Sequence, residues 1–148
     1  MPGYGLPKGT KGLLPWKWAE QRLQRSRQYW ISTTRRDGAP HTMVIWGLWL
    51  DGRFYFSTGT ESRKARNLAS NPHCVICNDN AAEAVILEGV AKIQAIDPAF
   101  RKRFNQLYEK KYKFDMAEFS DPIYAVTPSV AFGMYEKKFQ GTATRWKF

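Results

Sequence analysis

The segment Ser57-Thr58-Gly59-Thr60-Glu61-Ser62-Arg63-Lys64-Ala65-Arg66 holds the residues best suited to chemistry. Its order predicts a strand end, a turn of small residues and the start of a helix. A helix N-terminus presents free N–H groups and the positive end of the helix dipole, and both favour an anion. Ser57, Thr58 and Ser62 add hydroxyl donors, while Arg63 and Lys64 add charge. The pattern suits a phosphate cradle for a small ligand. It suits equally well an ordinary N-cap followed by a solvated basic face.

Other chemistries find less support. Cys74 and Cys77 have redox-dithiol spacing, but they lie in a Val/Ile strand rather than at a helix start. Residues three apart on a strand point to opposite faces, so the sulfurs are expected to diverge as two core thiols. His41 and His73 are the only histidines. No second ligand pair accompanies the cysteines, so no metal site is expected. Walker-type loops, GxGxxG fingerprints and triad motifs are absent. Redox chemistry here would then rest on an organic cofactor. Trp46, Trp49 and Trp146 can pack beside a flat ring, or serve as core aromatics, the commoner fate of a single Trp. No acid–base residue is assigned. By side-chain chemistry alone, His41, Tyr55 and Arg145 are candidates.

The elements that must hold these residues follow from pattern. Residues 1–14 read as an irregular Gly/Pro/Lys arm, and 15–148 as one domain. Pro15 opens a helix to about Arg27, with Trp16, Ala19 and Leu23 on one stripe. Tyr29 to Thr34 has strand composition, and Asp37-Gly38 and Asp51-Gly52 mark hairpins. His41 to Leu50 is apolar on both alternating faces, which predicts a strand covered on both sides. Gly47 within it predicts a bend or the close approach of a flat group. Ser62 to Ser70 reads as a short helix ended by Asn71-Pro72. Cys74 to Cys77 and Ala84 to Ile96 read as strands, the second with a bulge at Gly89. A helix follows Asp97-Pro98, and the tail from Ile123 returns to strand, broken by Pro128 and Gly141. The expected fold is mainly β: a small antiparallel barrel of six to seven strands, mostly joined by hairpins, with three short helices at its rim.

The 148 residues carry a formal charge of +10, and 15% are aromatic. That length supports one core, and that composition excludes a disordered chain. The charge is uneven. Residues 1–36 hold eight Lys or Arg and one acid, 37–100 five and seven, and 101–148 ten and five. The surplus admits an anionic partner. A nucleic-acid partner is not expected, because no recognition motif appears and the middle of the chain is slightly acidic. No apolar run spans a bilayer and no secretory signal is visible, so a cytoplasmic protein without a membrane partner is expected.

Several pieces together resemble the pyridoxamine 5′-phosphate oxidase-like superfamily of flavin-binding split β-barrels. They are Tyr29 to Thr34, Asp37 to His41, Val44 to Trp49, Phe54 to Thr58, Ser62 to Leu68, Asn71-Pro72, Glu88-Gly89 and Gly141 to Phe148. The resemblance implies that the barrel is split and Greek-key-like, and it implies a homodimer with cofactor at the interface and a small-molecule substrate. It implies that Ser62, Arg63 and Lys64 hold the cofactor phosphate. Ser57 and Thr58 would line the ring edge, and Met43, Val44, Ile45 and Trp46 would run beneath it. Arg145 and Trp146 would approach the ring from the same or the other subunit. FMN is the implied cofactor, with the deazaflavin coenzyme F-420 as alternative. The implied activity is a flavin- or deazaflavin-dependent oxidoreductase. A non-catalytic flavin or haem carrier or sensor is the alternative. The vitamin-forming oxidases carry Arg and Lys where this chain has Met43 and Leu48, and a Gln where it has Ala84. They also carry a C-terminal Arg pair that is missing here. These departures speak against pyridoxamine phosphate oxidation.

Overall fold

The computed structural model describes residues 11–148, so most of the expected arm lies outside the described residues. Helix α1 (Trp16–Arg25) follows Pro15 and ends two residues earlier than expected, burying Ala19 and Leu23. Strands β1 (Tyr29–Thr34) and β2 (Pro40–Ile45) are joined by a turn with Gly38 at φ 85°. Strands β3 (Leu48–Leu50) and β4 (Arg53–Ser57) meet at Asp51 and Gly52, with φ of 50° and 76°. Positive φ at both turn residues is what a two-residue hairpin needs. Helix α2 (Arg63–Ser70) is capped by Ser62, whose Oγ accepts from Ala65 N at 3.2 Å. Strands β5 (His73–Asn78) and β6 (Glu83–Ile93) lead to α3 (Pro98–Tyr112), capped by Asp97. Strand β7 (Ile123–Tyr135) is followed by a 3-10 turn, Glu136–Lys138, the short helix α4 (Phe139–Thr142) and β8 (Thr144–Lys147).

All eight strands form one antiparallel sheet in the order β2-β1-β5-β6-β7-β4-β3, with β8 paired to the second half of β7. The sheet curls into a split barrel. Residues paired across antiparallel strands share a face. One row runs Met43, Ile31, Ile76, Leu87, Ala131 and Trp146, and its four middle members are buried. The neighbouring row runs Val44, Trp30, Cys77, Ile86, Phe132 and Arg145, and none of its members is fully buried. The first row lines the barrel and the second faces outward. Cys74 falls inside and Cys77 outside, and burial raises both thiol pKa values, Cys74 to about 12. They are separated packing residues, as their strand spacing implies.

Two expectations are corrected. The run from His41 to Leu50 is not one strand covered on both faces. It breaks at Trp46-Gly47, and β2 is the sheet edge, paired only with β1. Its Met43 and Val44 are 47% and 42% exposed, because none of the described elements covers them. Pro128 does not break β7. It stands opposite Gly89 at a register shift where Ser129 is the extra residue, so its missing N–H leaves no gap in the ladder. A Cβ on Gly89 would meet the Thr127 carbonyl, which is why the bulge carries glycine.

Apolar side chains on both faces of β3, β4 and β7 serve two cores. Trp49, Phe54, Phe56, Tyr124 and Val126 point into the barrel. The alternating Leu48, Tyr55, Ile123 and Ala125 pack on Phe104, Tyr108 and Tyr112 of α3. Helix α3 therefore seals the outside of these strands, and its last turn reaches the β2–β3 junction.

Candidate functional site

The segment expected to form a cradle or an ordinary capped helix start runs from the end of β4 through a turn into α2. Thr58 Oγ1 donates to Ser62 Oγ at 3.0 Å, and Ser62 N donates to the Gly59 carbonyl at 3.0 Å. Ser57 Oγ donates to the Pro122 carbonyl at 3.1 Å, which ties the strand end to the start of β7. The N–H groups of Arg63 and Lys64 lie in the first turn of α2, where a helix offers no internal acceptor. Lys64 is half-buried, and desolvation lowers its pKa. Neither Arg63 nor Lys64 has a carboxylate partner among the described residues, whose ion pairs are Arg22–Glu83 and Arg103–Asp51.

A short relay fixes this helix against β1 and β2. Asn67 Nδ2 donates to Thr33 Oγ1 at 2.9 Å, and Thr33 Oγ1 reaches the His41 carbonyl at 3.4 Å. His41 thus sits among Arg35, Arg63 and Lys64. Desolvation first, then these three cations, lowers the imidazole pKa. Its Nδ1 is shielded from solvent and has no hydrogen-bond partner among the described residues. At the other end of β2, Trp46 stacks on Tyr112 with centroids 4.7 Å apart. Phe114 lies 6.0 Å from Trp46, and Phe119 lies 5.1 Å from Phe114. The same loop carries Asp121, whose carboxylate lies against Gly59. The loop after α3 therefore forms a wall between Trp46 and the Ser57–Gly59 turn. Trp46, Phe114 and Phe119 are exposed along it.

Ser57, Thr58, Ser62, Arg63 and Lys64 are thus brought together on one side of the split. Met43, Val44, Ile45 and Trp46 lie along β2 on the other, although Ile45 is buried against the barrel and Val44 faces outward. Trp146 is not brought to the cradle within one chain. It packs on Trp16 at 5.2 Å and against Gly133. Arg145 lies exposed on the outward row. Trp49 is a core residue, 5.8 Å from Trp16. Sequence reasoning missed Arg35 and Arg36 as neighbours of α2, because a hairpin signal says nothing about what the turn packs against.

It also missed a buried polar knot beneath Trp46. Lys111 Nζ donates to Tyr29 Oη at 2.7 Å and to the Gly47 carbonyl at 3.0 Å. Tyr112 Oη donates to the same carbonyl at 2.8 Å and accepts from Gly47 N at 2.9 Å. Desolvation, reinforced by Arg27 and opposed by Asp79, holds the Lys111 pKa down at about 8. Burial pushes Tyr29 and Tyr112 well above 10. Between pH 8 and 10 the unfolded chain keeps a lysine proton that the folded chain has released, so stability rises with pH. Above pH 10 the tyrosines release protons only on unfolding, so stability falls. Denaturant midpoints taken from pH 7 to 10.5 are expected to show this rise and fall. Lys111→Met is expected to remove the rise and to raise the midpoint at pH 7, because it deletes a poorly solvated charge. A parallel rise in the variant would count against this assignment.

Among the described residues no cluster of side chains could hold a metal ion, and no helix is long and apolar enough to cross a membrane. No curated protein matches the sequence. Solved structures do. General Stress Protein 26 from Bacillus anthracis str. Sterne is similar over 89% of this chain and 97% of its own, with 17% identity and a TM-score of 0.70. An F420 reductase is similar over 76% and 94%, with 26% identity and a TM-score of 0.59. A heme binding protein from Mycobacterium smegmatis is similar over 90% of this chain but 59% of its own, with 18% identity and a TM-score of 0.70. The sequence profile of the pyridoxamine 5′-phosphate oxidase family matches residues 16–134. With that profile across most of the chain and the same curled sheet in these structures, the chain belongs to the pyridoxamine 5′-phosphate oxidase-like family of split β-barrels.

Proposed function

We propose that the protein is a dimeric oxidoreductase dependent on FMN or on the deazaflavin coenzyme F-420, with the cofactor seated in the groove between β2 and the β4–α2 turn. The observation that carries this reading is the cradle. Half-buried Lys64, Arg63, two first-turn N–H groups and the Ser62 hydroxyl share the start of α2, and neither cation is ion-paired among the described residues. That donor set fits a phosphate. Ser57 and Thr58 would line the ring edge, and Met43 and Trp46 would lie beside the ring. The bound cofactor would supply hydride exchange with a small planar substrate. The chain itself would grip the phosphate, orient the ring and, through Trp46, Phe114 and Phe119, exclude water. Met43, Leu48 and Ala84 stand where the vitamin-forming oxidases are expected to carry polar contacts, so pyridoxamine phosphate oxidation is not proposed. Free thiols at Cys74 and Cys77 suit the cytoplasm.

The uncovered outward row supports a homodimer. Trp30 is 47% exposed beside Val44, in a row that continues through Ile86 and Phe132. Burying such a surface favours association. Trp30→Glu places a charge at its most exposed aromatic residue and is expected to give a monomer in sedimentation. If cofactor sits at the interface, the same variant loses cofactor binding. A dimer that survives Trp30→Glu would point to another surface.

A second reading, a non-catalytic haem carrier, draws on His41. Its Nδ1 has no partner among the described residues and stands beside cations suited to propionates. The visible spectrum separates the two readings. The protein purified from a host that makes flavin, deazaflavin and haem is expected to carry a flavin or deazaflavin band, or to bind one at micromolar concentration. A haem Soret band with no flavin binding would favour the carrier, and binding of none of them would sink both.

A further inference from the structure

We propose that the concavity between the β1–β2 turn and α2 is a second oxyanion site, which takes a phosphoryl or carboxylate group lying beyond a first phosphate held at Lys64. The link to a first phosphate rests on the cofactor reading above, while the site itself rests on its own residues. The pocket has a volume of about 560 Å³ and is lined by Arg35, Arg36, Asp37, Arg63, Arg66 and Asn67. Four arginines from two separate elements thus line one space. None has a carboxylate partner among the described residues. Asp37, the only acid in the lining, is engaged within the turn, where its Oδ1 accepts from Ala39 N at 3.0 Å.

Four like charges gathered in a concave wall repel one another, and an anion relieves that repulsion. Arginine is also the side chain whose planar fork matches phosphate and carboxylate oxygens in pairs. The wall is held in place by structure rather than by the charges. Asn67, also in the lining, is buried and bonded to Thr33, which ties α2 to β1 just before the turn that carries Arg35 and Arg36. Arg63 belongs both to this pocket and to the cradle, so a group placed here can be continuous with one placed at Lys64. A single phosphate fills only the cradle end. The arrangement therefore selects for a ligand with two or more oxyanions, either as an arm of the cofactor or as a separate molecule alongside it.

Calorimetry at low salt tests this with inorganic diphosphate, FMN and FAD, on the wild-type protein and on the Arg36→Gln/Arg66→Gln variant. Both side chains are exposed and outside the cradle, so the variant is expected to fold. Diphosphate is expected to bind the wild type and to lose tenfold or more in the variant, with FMN affinity within about twofold. If the cofactor's own arm fills the pocket, FAD binds more tightly than FMN and loses that advantage in the variant. If a separate molecule fills it, FMN and FAD bind alike and diphosphate binds beside FMN without competition. Diphosphate that does not bind, or binds the variant equally, would overturn the proposal. So would a variant that weakens FMN as much as diphosphate, since pocket and cradle would then be one site. Arginine-dependent diphosphate binding with no binding of either flavin would uphold the pocket and remove FMN as the cofactor, leaving the deazaflavin as the alternative.

Discussion

Lys64→Ala is expected to weaken flavin or deazaflavin binding by about tenfold or more, with little change in thermal stability. The ammonium group is half-buried at the start of α2 and has no carboxylate partner among the described residues. A charge-assisted hydrogen bond to a phosphate is worth about 1.5–3 kcal/mol net, which matches that loss. Partial burial reduces salt screening, so the wild-type affinity should decline only gently as salt is added. Lys17→Ala, on the exposed face of α1, is the matched control and should bind as wild type. Fluorescence titration reads both. Equal affinity in Lys64→Ala and Lys17→Ala would reduce the segment 57–66 to an ordinary capped helix with a solvated basic face.

The second large effect is expected at Gly47. A Cβ there would meet the ring of Phe54 and lie 2.7 Å from the Tyr55 carbonyl. The flat group whose approach the glycine allows is therefore a core phenylalanine from the next hairpin strand. The same residue is held through its N–H and carbonyl by Tyr112, and through its carbonyl by Lys111. Gly47→Ala must displace either a fully buried ring or the backbone, at a cost of about 3 kcal/mol. For a chain of this size that corresponds to a fall in Tm of roughly 10 °C. Because Trp46 precedes the glycine and stacks on Tyr112, the groove wall should shift too, and cofactor binding should weaken in the folded variant. A melt within a degree of wild type would show that the junction yields easily.

Legibility differed by residue, and for physical reasons. Ser62 was readable as a cap because an N-cap is a local bargain between a side chain and an N–H three residues on. Asp51-Gly52 was readable because positive φ is a property of the residues themselves. The divergence of Cys74 and Cys77 followed from strand periodicity alone. The exposure of β2 was not readable. Its apolar alternation matches a buried strand, and only its place at the sheet edge distinguishes it. Lys111 gave no signal either, because a lysine in a basic helix reads as solvated until the helix is docked.

By itself, the sequence determined most of the elements, their caps and turns, and the opposite facing of Cys74 and Cys77. These depend on neighbours within a few residues, whose preferences are written in side-chain type and spacing. Tertiary structure alone decided which distant pieces meet. It brought Arg35 and Arg36 to α2, set Lys111 and Tyr112 on Gly47, ran the loop after α3 from Trp46 to Gly59, and sent Trp146 to Trp16 rather than to the groove. Those meetings depend on strand order and on how far the sheet curls, which are set by the packing of the whole core and by no local segment.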